Sequence, residues 1–363
     1  MSPFEVNPSI AHAKTLSTDF YLDLRYFEES KEKIFSQSWQ WVGDSDPVKE
    51  PGSVMPVTLL ENFLDEPLLL SRDQQGTLHC LSNVCTHRGN LLIEKTGQVN
   101  DLRCKYHGRR FHLNGQFLSM PEFKEVENFP SPEDNLTSLS FFQWEKLLFA
   151  SLHPAAPAEF FFREMKSRIG WMPLDQFVFR PDLSKSYEVN AHWALYCENY
   201  LEGFHIPFVH ADLNAAVDYG NYTTELFRYG SLQLGLSKVG GACFDLPASS
   251  KDYGKSVAAY YFWIFPNMMF NFYPWGLSIN IIRPLAPDKT HVSFLFYVWD
   301  ESKLHQGAGA DLHGVEMEDE DVVEHVQKGI RSRFYKHGRY STTREQGTHH
   351  FHLLLAEFMN KGT

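Results

Sequence analysis

The sequence predicts an α+β protein, a small all-β domain followed by a larger α+β domain, and three features predict it. Between Gly52 and about Phe149 the chain is a succession of short β-type runs separated by turns. A Pro/Ala-rich joint, HPAAPAEFF at 153–161, ends that texture. Beyond it come a segment around 191–214, aromatic strand candidates at 257–299 and a helical pattern near 316–336. With 363 residues, 43% hydrophobic and 15% aromatic, there is ample material for packed cores.

Taken in order, residues 20–40 read as a helix, because Leu22, Leu24, Phe27, Ile34 and Phe35 recur at mixed three-to-four spacing. LLLSRDQQGTLHCL holds two β runs around a glycine-closed turn, and RRFHLNGQFLSM carries Asn114-Gly115, a two-residue hairpin signal. The expected boundaries are 1–40 for an N-terminal helical segment packing on the larger domain, 41–152 for the β domain and 153–363 for the α+β domain. A formal charge of −12 argues against nucleic acid and anionic membranes as partners. Five thinly spread cysteines do not make a disulfide framework. The first residues lack an apolar signal-peptide core, and the longest apolar run, VAAYYFWIF at 257–265, is far short of the roughly 20 residues of a membrane span. A cytoplasmic protein is expected.

Two loops stand out. CTHRGN (85–90) and CKYHGRRF (104–111) place Cys85-x-His87 and, sixteen residues on, Cys104-x-x-His107, each pair leading into a glycine, Gly89 or Gly108. Two thiolates and two imidazoles suit either a structural zinc or a [2Fe–2S] cluster with two histidines on one iron. Zinc modules tend to pair like with like, whereas here each loop offers one Cys and one His, as a cluster whose irons each draw a ligand from both loops requires. The pattern resembles the Rieske family. The bracing disulfide of respiratory Rieske proteins is missing, since Asn90 and Tyr106 hold its positions. Lys105 and Arg109 stand where oxygenase relatives read CPYHGW, and are expected to tune the cluster, to dock an acidic electron donor, or simply to face water. His79 and His112 read as strand residues and Cys80 as a buried thiol.

A second constellation lies in CENYLEGFHIPFVH (197–210), which contains Glu202-x-x-His205-x₄-His210. On a helix Asn199, Glu202 and His205 are successive i, i+3 neighbours. His205 and His210 would sit about 140° apart on a regular helix and could not share an ion. Pro207, between them, is expected to break the helix and swing His210 round. Two histidines and a carboxylate on one face of Fe(II) make the non-haem oxygenase site. In EMEDEDVVEHVQKG (316–329), Asp319 shares a face with Val322, Val323 and Val326 and is the inward candidate, whereas Asp321 lines up with Glu324, His325 and Lys328 on the wet side. His349, His350 and His352 fall in what reads as an extended or fraying tail and are taken as structural.

ENYLEGFHIPFVH, preceded by His192-Trp193, together with ED-x-x-V-V-E-x-V-Q-x-G, resembles the α-subunit of Rieske non-haem iron oxygenases over nearly the whole chain. The resemblance implies a helix-grip (START/Bet v1-like) catalytic domain at 153–363 and a head-to-tail homotrimer. It implies a [2Fe–2S] cluster on Cys85, His87, Cys104 and His107, and mononuclear iron on His205, His210 and Asp319. Glu202 would be the electron-transfer bridge between subunits, with Asn199 as a further catalytic residue. Electrons would come from NAD(P)H through a separate flavin or iron–sulfur reductase or ferredoxin, with O2 as co-substrate. Glu202 stands where most relatives have aspartate, which resembles the branch acting on quaternary ammonium compounds, and His192-Trp193-Ala194 replaces the usual Asn-Trp-Lys. Strands at 259–277 line the pocket in that family, so Trp263, Tyr273 and Trp275 are cage candidates for an N-methylated cation. The alternatives are an aromatic-ring hydroxylase, an electron carrier without catalytic iron, and a zinc-stapled binding module.

Overall fold

The computed structural model describes residues 4–361. The chain divides into two compact units, Ser36–Ala155 and a larger one that joins the residues up to Phe35 with those from Ala156 onward. No helix among the described residues is long and apolar enough to cross a membrane.

The smaller unit is all β: β1 (Gln40–Asp44), β2 (Ser53–Leu59), β3 (Glu66–Arg72), β4 (Leu78–Ser82), β5 (Gly97–Gln98), β6 (Leu102–Arg103), β7 (Arg110–Phe111), β8 (Phe117–Ser119), β9 (Ser140–Trp144) and β10 (Leu147–Ser151). They form three antiparallel sheets, ordered β1-β10-β9, β4-β3-β2-β5 and β6-β7-β8. Successive side chains leave a strand on opposite sides. Leu68 and Leu70 of β3 therefore join a core with Val42, Leu59 and Leu148. Leu69 joins a second core with Leu81, Leu102 and Phe111, which also buries Cys85 and Cys104. The Asn114-Gly115 hairpin is not the two-residue loop that dipeptide suggests. Its turn runs from His112 to Gly115, with Gly115 N donating to His112 O at 2.9 Å and Gly115 in the left-handed region at φ +84°.

In the larger unit the expected N-terminal helix is two, α1 (Asp19–Leu22) and α2 (Leu24–Ser30), followed by a π-type turn at Lys31–Phe35. Asp23 leaves the helical region (ψ 117°) and caps α2 by accepting from Arg25 N. After α3 (Glu159–Ile169) come β11 (Val178–Phe179), β12 (Lys185–Val189), α4 (Trp193–Tyr200), α5 (Ile206–Val209) and α6 (Ala211–Ala216). β13 (Thr223–Phe227), β14 (Gly230–Leu236), β15 (Val257–Ile264), β16 (Met268–Tyr273), β17 (Gly276–Ala286) and β18 (Lys289–Val298) complete an antiparallel sheet ordered β11-β18-β17-β16-β15-β14-β13, with β12 also on β18. The chain ends in α7 (Leu312–Gly329) and α8 (Gln346–Asn360).

The register puts Gln233, Tyr261, Asn271 and Ser278 opposite one another across β14 to β17, so they share one face. The buried residues of the other face, among them Leu232, Phe262, Phe270 and Leu277, are apolar. α7 starts and ends earlier than the sequence suggests, and its buried positions are Glu316, Val323 and Gln327, while Val326 is exposed. The expected apolar stripe fails because this helix fronts a polar site. The expected tail is instead α8, which buries Phe351, Leu354, Leu355 and Phe358. Its histidines have structural partners: His349 Nε2 on Asn7 O and His350 Nε2 on Phe227 O, each at 2.8 Å, and His352 between Tyr340 and Glu198.

Gly347 lets α8 approach the end of α4, since a Cβ there would lie 2.3 Å from Leu201 O. Gly347→Ala should lower stability by about 1–3 kcal/mol through overpacking. Gly329→Ala, where a Cβ meets nothing within 4 Å, should leave it unchanged or slightly raised. Denaturant titration of both variants checks this.

Candidate functional site

The two Cys/His loops share one backbone design. Cys85 N donates to Asn90 O (2.9 Å) and Gly89 N to Cys85 O (3.0 Å); Cys104 N donates to Arg109 O (2.8 Å) and Gly108 N to Cys104 O (3.0 Å). Each loop closes on a glycine with positive φ, +69° at Gly89 and +75° at Gly108, which explains why glycine ends both motifs. The rings of His87 and His107 lie 4.7 Å apart at 76°. His107 Nδ1 is buried without a hydrogen-bond partner, which fits a nitrogen that would face a metal. Burial opposes the Cys104 thiolate, but backbone N–H groups of Tyr106 and His107 outweigh it and lower the thiol's pKa. Among the described residues, the one set of three or more His, Cys, Asp or Glu donors within 4.8 Å of one another lies elsewhere, in the larger unit. Each loop brings one thiol and one imidazole, a set that fits ligands divided between two irons.

The expectations for the two basic neighbours separate. Lys105 is exposed and paired with Glu94. Arg109 is buried, bonded to Asp134 Oδ1 at 2.7 Å and packed over Phe111, Phe117 and Phe129. It neither faces water nor offers a docking charge; it braces its loop.

The convergent set in the larger unit is His205, His210 and Asp319. His205 Nε2 lies 3.1 Å from His210 Nε2, and Asp319 Oδ1 lies 3.0 Å from the latter and 3.5 Å from the former. A metal about 2.1 Å from each of three donors at right angles would set them about 3 Å apart. The triangle therefore fits one face of an octahedral ion. Asp321 lies on the exposed side of α7 and is not part of it.

The local chain explains the convergence and corrects the expected helix. α4 stops at Tyr200, so Glu202 and His205 meet across a turn, with Glu202 Oε2 capping the N–H groups of Phe204 and His205. Pro207 does not break a helix but sits in the first turn of α5, where its missing N–H is harmless. The break is at His210 itself, at φ −107° and ψ 88° between α5 and α6. The outer nitrogen of each ring is held by a carboxylate: His205 Nδ1 by Glu202 and His210 Nδ1 by Glu318, each at 2.7 Å. That fixes both rings with Nε2 toward the common point. Asn199 Nδ2 donates to Asp319 Oδ1 at 2.6 Å. Burial disfavours charge on His210, but Asp319 and Glu318 outweigh it and raise its pKa, a field that favours a cation.

The triad opens on a cavity of about 100 Å³ between the sheet and α4–α7. Its aromatic lining is tyrosine-rich, with Tyr196, Tyr200, Tyr222, Tyr261 and Tyr273. Of the three expected cage residues only Tyr273 lines it. Trp275 lies behind, stacked on Tyr273 at 5.2 Å and on Phe296 at 5.4 Å. Trp263 lies under α8, packed on Phe351 with Nε1 bonded to Pro266 O. Sequence reasoning missed Gln233, Asn271, Asn280 and Glu316, which also line the cavity. The available signal was an amide side chain inside largely apolar strand runs: GSLQLGL, MMFNFY and GLSINII. Burial pushes the Glu316 carboxyl well above the usual range.

His192 begins α4 by accepting from Ala194 N at 3.2 Å, and burial drives its pKa down to about 3. The fold keeps it neutral while the unfolded chain protonates below about 6.5, so its contribution to stability is lost as pH falls from about 6.5 toward 3. Relative to His192→Asn, which keeps a capping acceptor, the parent should lose roughly 1 kcal/mol per pH unit between pH 6 and 5. Parallel stability–pH curves would contradict this.

A family model for the ring hydroxylating alpha subunit (catalytic domain) matches residues 178–361, and one for the Rieske [2Fe–2S] domain matches residues 38–130. Choline monooxygenase (chloroplastic) of Arabidopsis thaliana is 28% identical, over 98% of this chain and 85% of that protein. The carnitine monooxygenase oxygenase subunit of Escherichia coli K12 is 26% identical, over 98% of this chain and 96% of that protein. A solved quaternary ammonium Rieske monooxygenase, described in terms of carnitine oxidation and inter-subunit electron transfer, superposes with a TM-score of 0.77 at 23% identity, covering 98% of this chain and all of that one. The chain belongs to the ring-hydroxylating oxygenase α-subunit family, oxidoreductases that carry a Rieske [2Fe–2S] cluster and a mononuclear iron, consume O2 and draw electrons from a separate reductase or ferredoxin.

Proposed function

We propose that this chain is a terminal oxygenase that hydroxylates a C–H bond of a small N-methylated ammonium compound. The observation that carries the reading is the His205/His210/Asp319 triangle opening on a compact, tyrosine-lined cavity. Cys85, His87, Cys104 and His107 would hold the cluster, and the triangle would hold the ferrous ion. Bound there, the two centres supply single electrons and activate O2.

The protein's own groups do the rest. Glu202 and Glu318 keep the Nδ1 protons of His205 and His210 in place, so both Nε2 atoms stay available. Asn199 orients the Asp319 carboxylate. Tyrosine rings offer negative faces to a methylated ammonium, each contact worth about 0.5–2 kcal/mol with desolvation. The overall change is C–H + O2 + 2 e⁻ + 2 H⁺ → C–OH + H2O. On an N-methyl group the product is an N-hydroxymethyl compound, which loses formaldehyde to leave the demethylated amine. We assign Glu202 as the link between subunits of a homotrimer, supported by its bond to His205 and by the described inter-subunit transfer in the solved relative.

Aromatic-ring hydroxylation is the poorer reading, because the cavity wall carries Gln233, whose side-chain oxygen is buried without a partner and would stay so beside a hydrocarbon. With a reconstituted reductase, N-methylated ammonium compounds should yield formaldehyde or an aldehyde, and aromatic hydrocarbons no hydroxylated product. The reverse outcome would overturn the proposal. Asp319→Ala should reduce iron from about three to about two per chain while the cluster's visible absorbance persists. Loss of both together would contradict separate centres.

A further inference from the structure

Beside the cavity at the His205/His210/Asp319 triangle lies a second, outer one of about 230 Å³. Among its lining residues are Asp182, Lys185 and Asp311, exposed charges of both signs. In one place the partition between the two cavities is three rings thick. Tyr273 lines the inner cavity, Trp275 stacks behind it at 5.2 Å, and Phe296, 5.4 Å beyond Trp275, lines the outer one. Gly309 closes on that stack, since a Cβ there would lie 2.6 Å from Trp275 Nε1. In another place the partition is a single side chain thick: Phe294 and Leu312 line both cavities. Both side chains are hydrocarbon, so a change of rotamer there breaks no hydrogen bond.

Leu312 is also where α7 begins. Leu312, Val315, Glu316 and Asp319 follow one another at helical spacing, and all four line the inner cavity. At 1.5 Å per residue that stripe runs about 10 Å from the shared wall to the metal-facing carboxylate. Along this line the surroundings change from exposed charges to tyrosine rings, the order in which a hydrated cation would give up its water. Resting on the ammonium reading, we propose that the outer cavity is the vestibule by which substrate enters and that Phe294 and Leu312 are the gate it passes between. A gate acts on rates. Blocking it slows entry and exit by the same factor and leaves the affinity of the bound state alone, whereas changes to a binding wall fall mostly on dissociation.

Ala310 supplies the test, because it lines the outer cavity alone and is exposed. Its backbone is right-handed helical, at φ −74° and ψ −41°, a conformation tryptophan adopts without strain. Choline is the probe on the iron-loaded protein, with both rate constants from anaerobic stopped-flow fluorescence and Kd from calorimetry. Ala310→Trp should lower the association and dissociation rate constants together, about fivefold or more, and leave Kd within about twofold of the parent's. Leu312→Ala, which opens the gate and decides the matter should Ala310→Trp fail to fold, should raise the association rate constant about threefold or more. Association rates equal to the parent's in these variants, even with Kd altered, would make Leu312 a wall of the binding site and overturn this inference alone. Choline that neither binds nor is turned over would overturn the ammonium reading, and the gate with it.

Discussion

Two imidazoles five residues apart can face one ion only if the chain between them leaves the helix, and that constraint organises the larger unit. The segment from Leu201 to His210 meets it with a stop, a four-residue helix and a second stop. Glu202 supplies the first by capping the N–H groups of Phe204 and His205, and His210 supplies the second with its own backbone. Gly203 is part of the same solution, because a Cβ there would meet the Tyr222 ring at 2.8 Å. The third donor, Asp319, arrives on a separate helix and is held by Asn199 from α4. A site assembled from two elements in this way depends on their packing, and the close approach at Gly347 and the buried cap at His192 serve it.

The same economy shows in the carboxylates. Each metal-facing histidine has an acid behind it, so ring orientation and tautomer are set by bonds already in place before any ion binds. Glu202 acts both as a backbone cap and as the partner of His205. That double role couples the path of the chain to the basicity of the ring. In the smaller unit the equivalent device is backbone: two loops of matching hydrogen-bond pattern, each turning on a left-handed glycine, carry one thiolate and one imidazole apiece.

Much of this was legible in the sequence, because ligand type and spacing are local properties. Cys85, His87, Cys104, His107, His205 and His210 could be singled out one by one, and Asp319 could be preferred to Asp321, although the apolar stripe on which it was placed is not the buried face of α7. What could not be read was set by tertiary context. The helix break moved from Pro207 to His210, since a proline in a first helical turn costs nothing. Arg109 looked like a surface charge until three phenylalanines and Asp134 enclosed it. The aromatic run at 259–277 gave no hint of which rings face the cavity, because position along a strand decides whether a residue meets α8 or open space. Trp263 and Tyr261 share a face, yet only Tyr261 reaches the pocket. The amide side chains inside largely apolar strands were the better signal.

The central claim is that one iron is held apart from the cluster by His205, His210 and Asp319. Anomalous diffraction at the iron absorption edge from crystals of the iron-loaded protein tests it most directly. The account predicts, in each chain, a close pair of iron peaks at the Cys85–His107 loops and a separate single peak bounded by the Nε2 atoms of His205 and His210 and an oxygen of Asp319. A solitary peak at the loops, or a lone iron bound by any other residues, would contradict it.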